Sequence, residues 1–264
     1  MQSNQKQSIN MPGELAAKIK SVCQVVDEDW PEAWYMVPDD KVDNQKCENR
    51  LEPNQKVSVK EMKALGLGYW KMDAETYKYP VKSIPWDPKD ATDPRLQALR
   101  DERGYSYADV LTIHPDYLPG FDTHVKNFFT EHIHDAEEIR YILGGSGYFD
   151  VRDPLDKWIR IWVKKGDLMT LPEGIYHRFT CDETDYIHAM RMFIGVPCWT
   201  PINRFTEDTE GHKSRKQYYC KICMPWLEAR GELPKKVEEE KESKEAEPED
   251  DVAAKKQKIE EVTA

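Results

Sequence analysis

The chain has 264 residues, 39% of them hydrophobic, and can therefore bury one sizeable core or two small ones. Its net charge is -11, of which twelve acidic and seven basic residues between Glu232 and Ala264 contribute -5, so the rest is only mildly acidic. This balance argues against nucleic acid as a partner, because phosphate contacts need clustered Lys and Arg. No apolar run reaches the ~20 residues of a membrane-spanning helix and nothing resembles a signal peptide, so we expect a cytoplasmic protein without integral membrane contact.

The pattern of apolar and charged residues predicts three regions. Residues 1–31 form an N-terminal extension with a short helix, because four apolar residues recur there at helical spacing. These are Leu15, Ile19, Val22 and Val26. Residues 32–231 form one domain. Residues 232–264 lack an apolar face and should be a disordered acidic tail, which can reach protein partners. Its Lys255-Lys256-Gln257-Lys258 stretch is a candidate nuclear-import signal, so we expect the protein in the nucleus as well.

Helical and then β patterns follow along the domain. Short helices are predicted over 60–66 and 95–103. Segments 139–143 and 148–152 flank Gly144-Gly145-Ser146-Gly147, which predicts a hairpin. A second hairpin is predicted from 158–163 and 168–171 around a turn at 165–167, and short strands continue through 187–196. Since no helix connects these strands, we expect an all-β dominated sandwich or barrel with a few peripheral α-helices.

Two histidines, one carboxylate and a distant third histidine predict a single metal site. On an extended strand, His132 and His134 project from the same face, as do Glu138 and Arg140 on the next strand. His177 follows a glycine turn on a later strand. Three imidazoles and one carboxylate suit iron, nickel, manganese, cobalt or zinc rather than calcium. Four protein ligands around an octahedral ion leave two positions for a bidentate substrate.

The remaining histidines have no such neighbours in the sequence. We interpret them as surface residues or hydrogen-bonded core residues without a catalytic role. They are His114, His124, His188 and His212.

The metal-site residues lie in two motifs that resemble those of the cupin superfamily. The first is His132-x-His134-x3-Glu138, with Gly145 at the usual distance; the second is Gly166-x5-Pro172-x-Gly174-x2-His177. The chain departs from the pattern at Cys181, where an Asn is usual.

Longer strings narrow the resemblance to the acireductone dioxygenase family of methionine salvage, from about Ala33 to Tyr219. The strings are Ala33-Trp34-Tyr35-Met36, Gly68-Tyr69-Trp70-Lys71-Met72-Asp73, Glu137-Glu138-Ile139-Arg140-Tyr141-Ile142-Leu143, Gly147-Tyr148-Phe149-Asp150-Val151-Arg152-Asp153 and Gly174-Ile175-Tyr176-His177-Arg178-Phe179-Thr180. The resemblance implies a cupin double-stranded β-barrel (jelly roll). We expect a monomer.

The resemblance also implies an activity and a set of site residues. Acireductone, 1,2-dihydroxy-5-(methylthio)pent-1-en-3-one, reacts with O2 in such enzymes. One Fe(II) per monomer gives 4-methylthio-2-oxobutanoate and formate, whereas Ni(II) gives methylthiopropanoate, formate and carbon monoxide. The implied ligands are His132, His134, Glu138 and His177. Arginines Arg140 and Arg191 would line the pocket, and Phe128 and Phe179 would form its aromatic wall.

A charge count makes the role of Arg140 plausible. A divalent ion together with the carboxylate of Glu138 has a net charge of about +1. A dianionic enediolate therefore brings one uncompensated negative charge into a dry pocket. An unpaired buried charge is costly, and Arg140 can offset it through charge-assisted hydrogen bonds.

Two other functions fit the same residues. A different metal-dependent cupin enzyme could share the ligands through common descent of the fold, and a pocket without Arg140 and Phe179 near the metal would favour it. A cupin-fold binding or scaffold protein would keep the barrel and use its tail to recruit partners.

Overall fold

The computed structural model describes residues 27–76, 84–85, 93–206 and 208–234. Most of the predicted N-terminal extension, with its helix, and most of the predicted acidic tail lie outside these residues. Among the described residues, no helix has both the length and the apolar character needed to cross a membrane.

Strands are the main regular secondary structure of the described domain. The strands are β1 Ala33–Tyr35, β2 Gly68–Lys71, β3 Ile84–Pro85, β4 Tyr107–Ile113, β5 His132–Ile133, β6 Glu138–Arg152, β7 Trp158–Lys164, β8 Asp167–Leu171, β9 His177–Cys181, β10 Ile187–Phe193 and β11 Ile202–Asn203. The α-helices are α1 Val59–Ala64, α2 Pro94–Arg103, α3 Phe121–Phe128, α4 Lys213–Tyr218 and α5 Met224–Glu228. The two helices predicted within the domain, α1 and α2, are confirmed.

Local chemistry explains where α1 and α2 begin and end. Ser58 caps α1 in a capping box with Glu61, so each side chain accepts a hydrogen bond from the other residue's backbone. Asp93 caps α2 through the Arg95 amide, and Gly104 ends this helix with a φ of 75°. Glycine adopts this left-handed conformation without the steric cost of a Cβ.

The hairpin predicted around residues 144–147 is wrong, because β6 runs unbroken through them. Gly145 has a φ of 71°, and a Cβ there would lie 2.1 Å from the carbonyl oxygen of Tyr186. The glycines therefore bend the strand instead of reversing the chain. The first half of β6 pairs with β8 and β10, and the second half with β7 and β9.

The second predicted hairpin is wrong in its pairing but correct in its strands. β7 and β8 do form, but each pairs with a different half of β6 and the described pairings do not join them to each other. Instead, residues 153–157 connect β6 to β7 in a hairpin, which the Asp153 amide closes on the Lys157 carbonyl at 3.0 Å. The turn at 165–166 therefore carries the chain from one sheet to the other.

Two antiparallel sheets share β6 and enclose the core. In one, the order is β1-β7-β6-β9-β5-β11, and in the other it is β2-β8-β6-β10-β4-β3. The core between them contains Phe149 and Ile161 from the first sheet and Ile142 and Ala189 from the second. Helix α2 covers the outer face of the second sheet with buried leucines. This arrangement confirms the predicted double-stranded β-barrel with a few peripheral helices.

Candidate metal centre

The four residues predicted as ligands lie together at one end of the barrel. His132 on β5 is the register partner of His177, which begins β9. Glu138 begins β6, and His134 follows directly after β5. One potential ligand atom from each residue lies within 4.8 Å of the others. Glu138 Oε2 lies 2.9 Å from His177 Nε2 and 3.3 Å from His134 Nε2, so these atoms converge on one point.

Backbone carbonyls fix the orientation of all three imidazoles. The Nδ1 atoms lie close to carbonyl oxygens, His132 to that of Thr130 at 2.7 Å, His134 to that of Thr200 at 3.2 Å and His177 to that of Ile175 at 2.9 Å. Since a carbonyl only accepts hydrogen bonds, each Nδ1 carries the proton. Each Nε2 is then left with a lone pair aimed into the site, which is the usual arrangement for histidine ligands.

The charge states of the site suit a divalent transition metal. Burial lowers the pKa of His132 to about 3, so this imidazole is neutral near pH 7. Burial by itself would raise the pKa of Glu138, but the attraction to Arg140 holds it well below its usual range. The donor set is therefore imidazole nitrogen plus one carboxylate, which suits iron, nickel, manganese, cobalt or zinc.

A glycine turn places His177 and supports His134. Gly174 has a φ of 77°, and a Cβ on it would lie 2.4 Å from the carbonyl oxygen of Ser214. Its amide donates to the His134 carbonyl at 3.0 Å. The Pro172-x-Gly174 turn therefore connects two of the predicted ligands, and the absence of a side chain on Gly174 allows the backbone of Ser214 to lie close to it.

Arg140 lies beside the ligand carboxylate. Its Nη2 lies 2.9 Å from Glu138 Oε1, which is the oxygen opposite the one that faces the histidines. Its Nη1 donates to the Ile139 carbonyl at 3.0 Å. Burial lowers the pKa of Arg140, while the Glu138 charge opposes this shift. Arg140 therefore holds Glu138 in place in addition to lining the cavity.

Arg191 lies opposite Arg140 on the neighbouring strand β10. Asp109 on β4 accepts two hydrogen bonds from it, at 2.8 Å from Nε and 2.6 Å from Nη2. The Trp199 ring lies 4.3 Å from the Arg191 guanidinium carbon and 5.4 Å from that of Arg140. Neither Asp109 nor Trp199 was predicted from the sequence, since both lie far from the two motifs along the chain.

An aromatic wall lines the cavity next to the predicted ligands. The cavity has a volume of about 280 Å³. Phe179 lies between Phe128 and Phe149, with ring centroids 6.4 Å and 5.0 Å away. His124, interpreted above as having no role, also lines the cavity and stacks on Phe128 at 5.9 Å. The helical spacing of His124, Asn127 and Phe128 could have indicated this shared face.

The cavity contains both residues whose absence would have favoured a different cupin enzyme. Arg140 and Phe179 line it together with all four predicted ligands. The structure thus brings every site residue predicted from the sequence into one cavity. Their roles as ligands and substrate contacts stay predictions.

The chain is similar to several known proteins. A solved acireductone dioxygenase from Bacillus anthracis, with cadmium ion in its active centre, is 24% identical; the match covers 57% of this chain and 94% of that one, with a TM-score of 0.47. Acireductone dioxygenase 3 of Physcomitrium patens is 47% identical over 197 residues, or 75% of this chain and 88% of that protein. Acireductone dioxygenase of Gallus gallus is 49% identical over 187 residues, or 71% and 94%. The model of the ARD/ARD' family matches residues 32–201. The chain therefore belongs to the ARD/ARD' family of acireductone dioxygenases.

Proposed function

We propose that this chain is a metal-dependent acireductone dioxygenase of L-methionine salvage. It cleaves acireductone with O2 to 4-methylthio-2-oxobutanoate and formate in an Fe(II) form, or to methylthiopropanoate, formate and carbon monoxide in a Ni(II) form. One observation carries this proposal. The three histidines and Glu138 share a single cavity with Arg140 and Arg191 in a chain that belongs to this family.

The three Nε2 atoms and a Glu138 oxygen would hold the ion. When bound, the ion supplies a Lewis acid and a template for a chelating enediolate. The protein contributes fixed imidazoles, because the carbonyls of residues 130, 175 and 200 hold the histidine rings before any ion arrives. A site whose ligands are already oriented loses little conformational entropy on binding.

The charges around the site add up to match a dianion. Glu138 and Asp109 are anionic, and Arg140 and Arg191 are cationic, so these four side chains sum to zero. A divalent ion then leaves +2, which a doubly deprotonated acireductone neutralises. Arg140 and Arg191 stand where they can donate to enediolate oxygens without leaving their carboxylates, since a guanidinium has five N–H donors.

The apolar wall excludes water from the reacting end of the substrate. Phe128, Phe149 and Phe179 line the cavity beside the charged residues. Electrostatic interactions strengthen when water is removed from around them, so the arginines hold an anion more tightly here than on the surface. The wall also offers an apolar surface to the methylthio end of the substrate.

Reconstitution with one metal at a time tests the proposal. The metal-free protein should turn over acireductone with O2 uptake after Fe(II) or Ni(II) is added, and formate with or without carbon monoxide identifies the route. The His177→Ala variant should retain less than about a tenth of the bound metal, whereas His114→Ala, outside the cavity, should retain all of it. Full metal occupancy without any turnover would overturn the proposal.

The identity of the metal, the oligomeric state and the cellular location belong to the same proposal. Since the ligand set suits iron and nickel alike, we expect the supply of metal to decide which is bound. We expect a monomer in the cytoplasm and the nucleus, with Lys255-Lys256-Gln257-Lys258 as the import signal and the acidic tail as the contact for protein partners. Light scattering tests the monomer. Imaging of the full chain, and of a variant with alanines at these lysines, tests the cellular location and the import signal.

A further inference from the structure

Three neighbouring strands of the barrel present their inward-facing residues in successive layers. On β4, β10 and β6 the charged layer contains Asp109, Arg191 and Arg140, which are register partners. The next layer contains Leu111, Ala189 and Ile142, and the last contains Ile113, Ile187 and Gly145. Layers two residues apart along a strand are separated by about 6.6 Å. The cavity therefore extends away from the charged layer along an apolar path.

The middle layer contains one unusually small side chain. Ala189 lies between Leu111 on one neighbouring strand and Ile142 on the other, and all three line the cavity. A leucine or isoleucine at residue 189 would continue the apolar surface of its neighbours and project into the same space. The single methyl group of Ala189 leaves a notch between two bulky residues at this depth.

Aromatic rings in the same cavity suit the chemistry of a thioether tail. Phe149 and Phe179 pack against each other with centroids 5.0 Å apart, and both line the cavity that contains Ala189. Divalent sulfur makes favourable contacts with the edges of aromatic rings. A substrate anchored at the charged layer by its oxygen atoms would extend its apolar tail along this path.

We propose that Ala189 is a specificity-determining residue that sets how long and how wide a substrate tail the cavity accepts. This inference rests on the proposed function, because it takes the ligand to be an anionic chelator anchored at the metal and the arginines. The notch admits the methylthio end, and the layer of Ile113 and Ile187 beyond it admits longer unbranched apolar tails. A larger residue at 189 closes the path at the middle layer.

Binding of hydroxamates of increasing tail length tests the proposed role of Ala189 without turnover. Unbranched aliphatic hydroxamates, from acetohydroxamate to octanohydroxamate, chelate Ni(II) and differ only in tail length. Calorimetry on the Ni(II)-loaded full chain should show affinity rising about fourfold for each added methylene until the last layer is filled. In Ala189→Leu the rise should stop at a shorter tail, with at least about a tenfold loss for octanohydroxamate and little change for acetohydroxamate.

The control variant lies on the same strand and faces the other way. Met190 is fully buried in the outer core beneath α2, and Met190→Leu conserves volume, so it should leave the whole series unchanged. Ala189→Val should give an intermediate cut-off. If Ala189→Leu lost the same affinity for hydroxamates of every tail length, or lost affinity for none, the proposed role of Ala189 would be wrong. If the affinity of the wild type depends on tail length but the protein never turns over acireductone, the proposed function is wrong and the role of Ala189 in selecting tails is still supported.

Discussion

Arg140 and Arg191 lie directly opposite each other on neighbouring strands, and each guanidinium is held by its own carboxylate. Like charges in this position destabilise a sheet. Glu138 on the strand of Arg140 and Asp109 on β4 offset the repulsion, and the Trp199 ring lies near both guanidinium groups. The two guanidinium groups are therefore positioned for an anion before one binds. Glu138 and Asp109 compensate for the repulsion between them.

Removing the carboxylate behind Arg191 should weaken substrate binding and leave the metal in place. In Asp109→Asn, Arg191 loses one of its charge-assisted hydrogen bonds and becomes free to move. Such bonds are worth about 1.5–3 kcal/mol, so we expect KM for acireductone to rise roughly 10- to 100-fold. Steady-state kinetics together with metal analysis measures this. A loss of metal equal to the loss of activity would contradict this positioning role for Asp109.

Replacing Arg140 should move metal binding to higher pH. Burial raises the pKa of Glu138 and Arg140 opposes this effect more than any other neighbour, so the pKa of Glu138 should be higher without Arg140. A protonated Glu138 cannot bind an ion, so the pH at which half the metal is lost should be higher in Arg140→Met than in the wild type. Arg191→Met should not move that midpoint, because Arg191 pairs with Asp109. Ni(II) content after equilibration between pH 5 and pH 8 checks this, and identical midpoints would refute it.

The metal-free protein should lose stability in mild acid because of His132. The pKa of this residue is about 3 in the folded protein, against 6.5 for an unperturbed histidine. Its full contribution to stability is therefore present above pH 6.5 and declines as the pH falls from there towards 3. Between pH 7 and pH 5 the loss amounts to about 2 kcal/mol.

Urea unfolding of the metal-free protein measures this contribution. His132→Gln should flatten the dependence of unfolding free energy on pH by about that amount, and His114→Gln should not. Equal slopes in the wild type and His132→Gln would show that His132 takes up no extra proton on unfolding.

Two glycines with similar backbone angles should respond differently to alanine. Gly104 has a φ of 75°, and a Cβ there would have no neighbour within 4 Å, so Gly104→Ala costs only the backbone strain of about 1–2 kcal/mol. Gly145→Ala adds an overlap with the Tyr186 carbonyl, and we expect about 1–3 kcal/mol more. Denaturant unfolding of both variants gives the comparison. Equal losses would mean that the bend in β6 tolerates a side chain.

The metal centre could be predicted from sequence because short spacings determine it. On a strand, residues 132 and 134 must share a face, as must residues 138 and 140, and the structure places them accordingly. Asp109 and Trp199 could not be found in this way. Each reaches the arginines through strand pairing or a loop far from the motifs, and nothing in their local sequence indicates a partner.

Strand positions were predicted better than strand pairing. The β-rich segments lie where expected, yet both predicted hairpins are wrong in their partners. Glycine clusters indicate that the backbone can adopt a positive φ, and this same freedom serves a reversal or a bend. At Gly145 the backbone of Tyr186 lies close to the strand, and the chain bends there instead of reversing. This contact forms only in the folded barrel.

Because both sheets share β6, their unfolding is coupled. Because one continuous backbone pairs with β8 and β10 at one end and with β7 and β9 at the other, neither sheet can detach while the other stays intact. Unfolding of the barrel should therefore be a single cooperative event, and an ion held at Glu138 would slow amide hydrogen exchange as far away as residues 148–152.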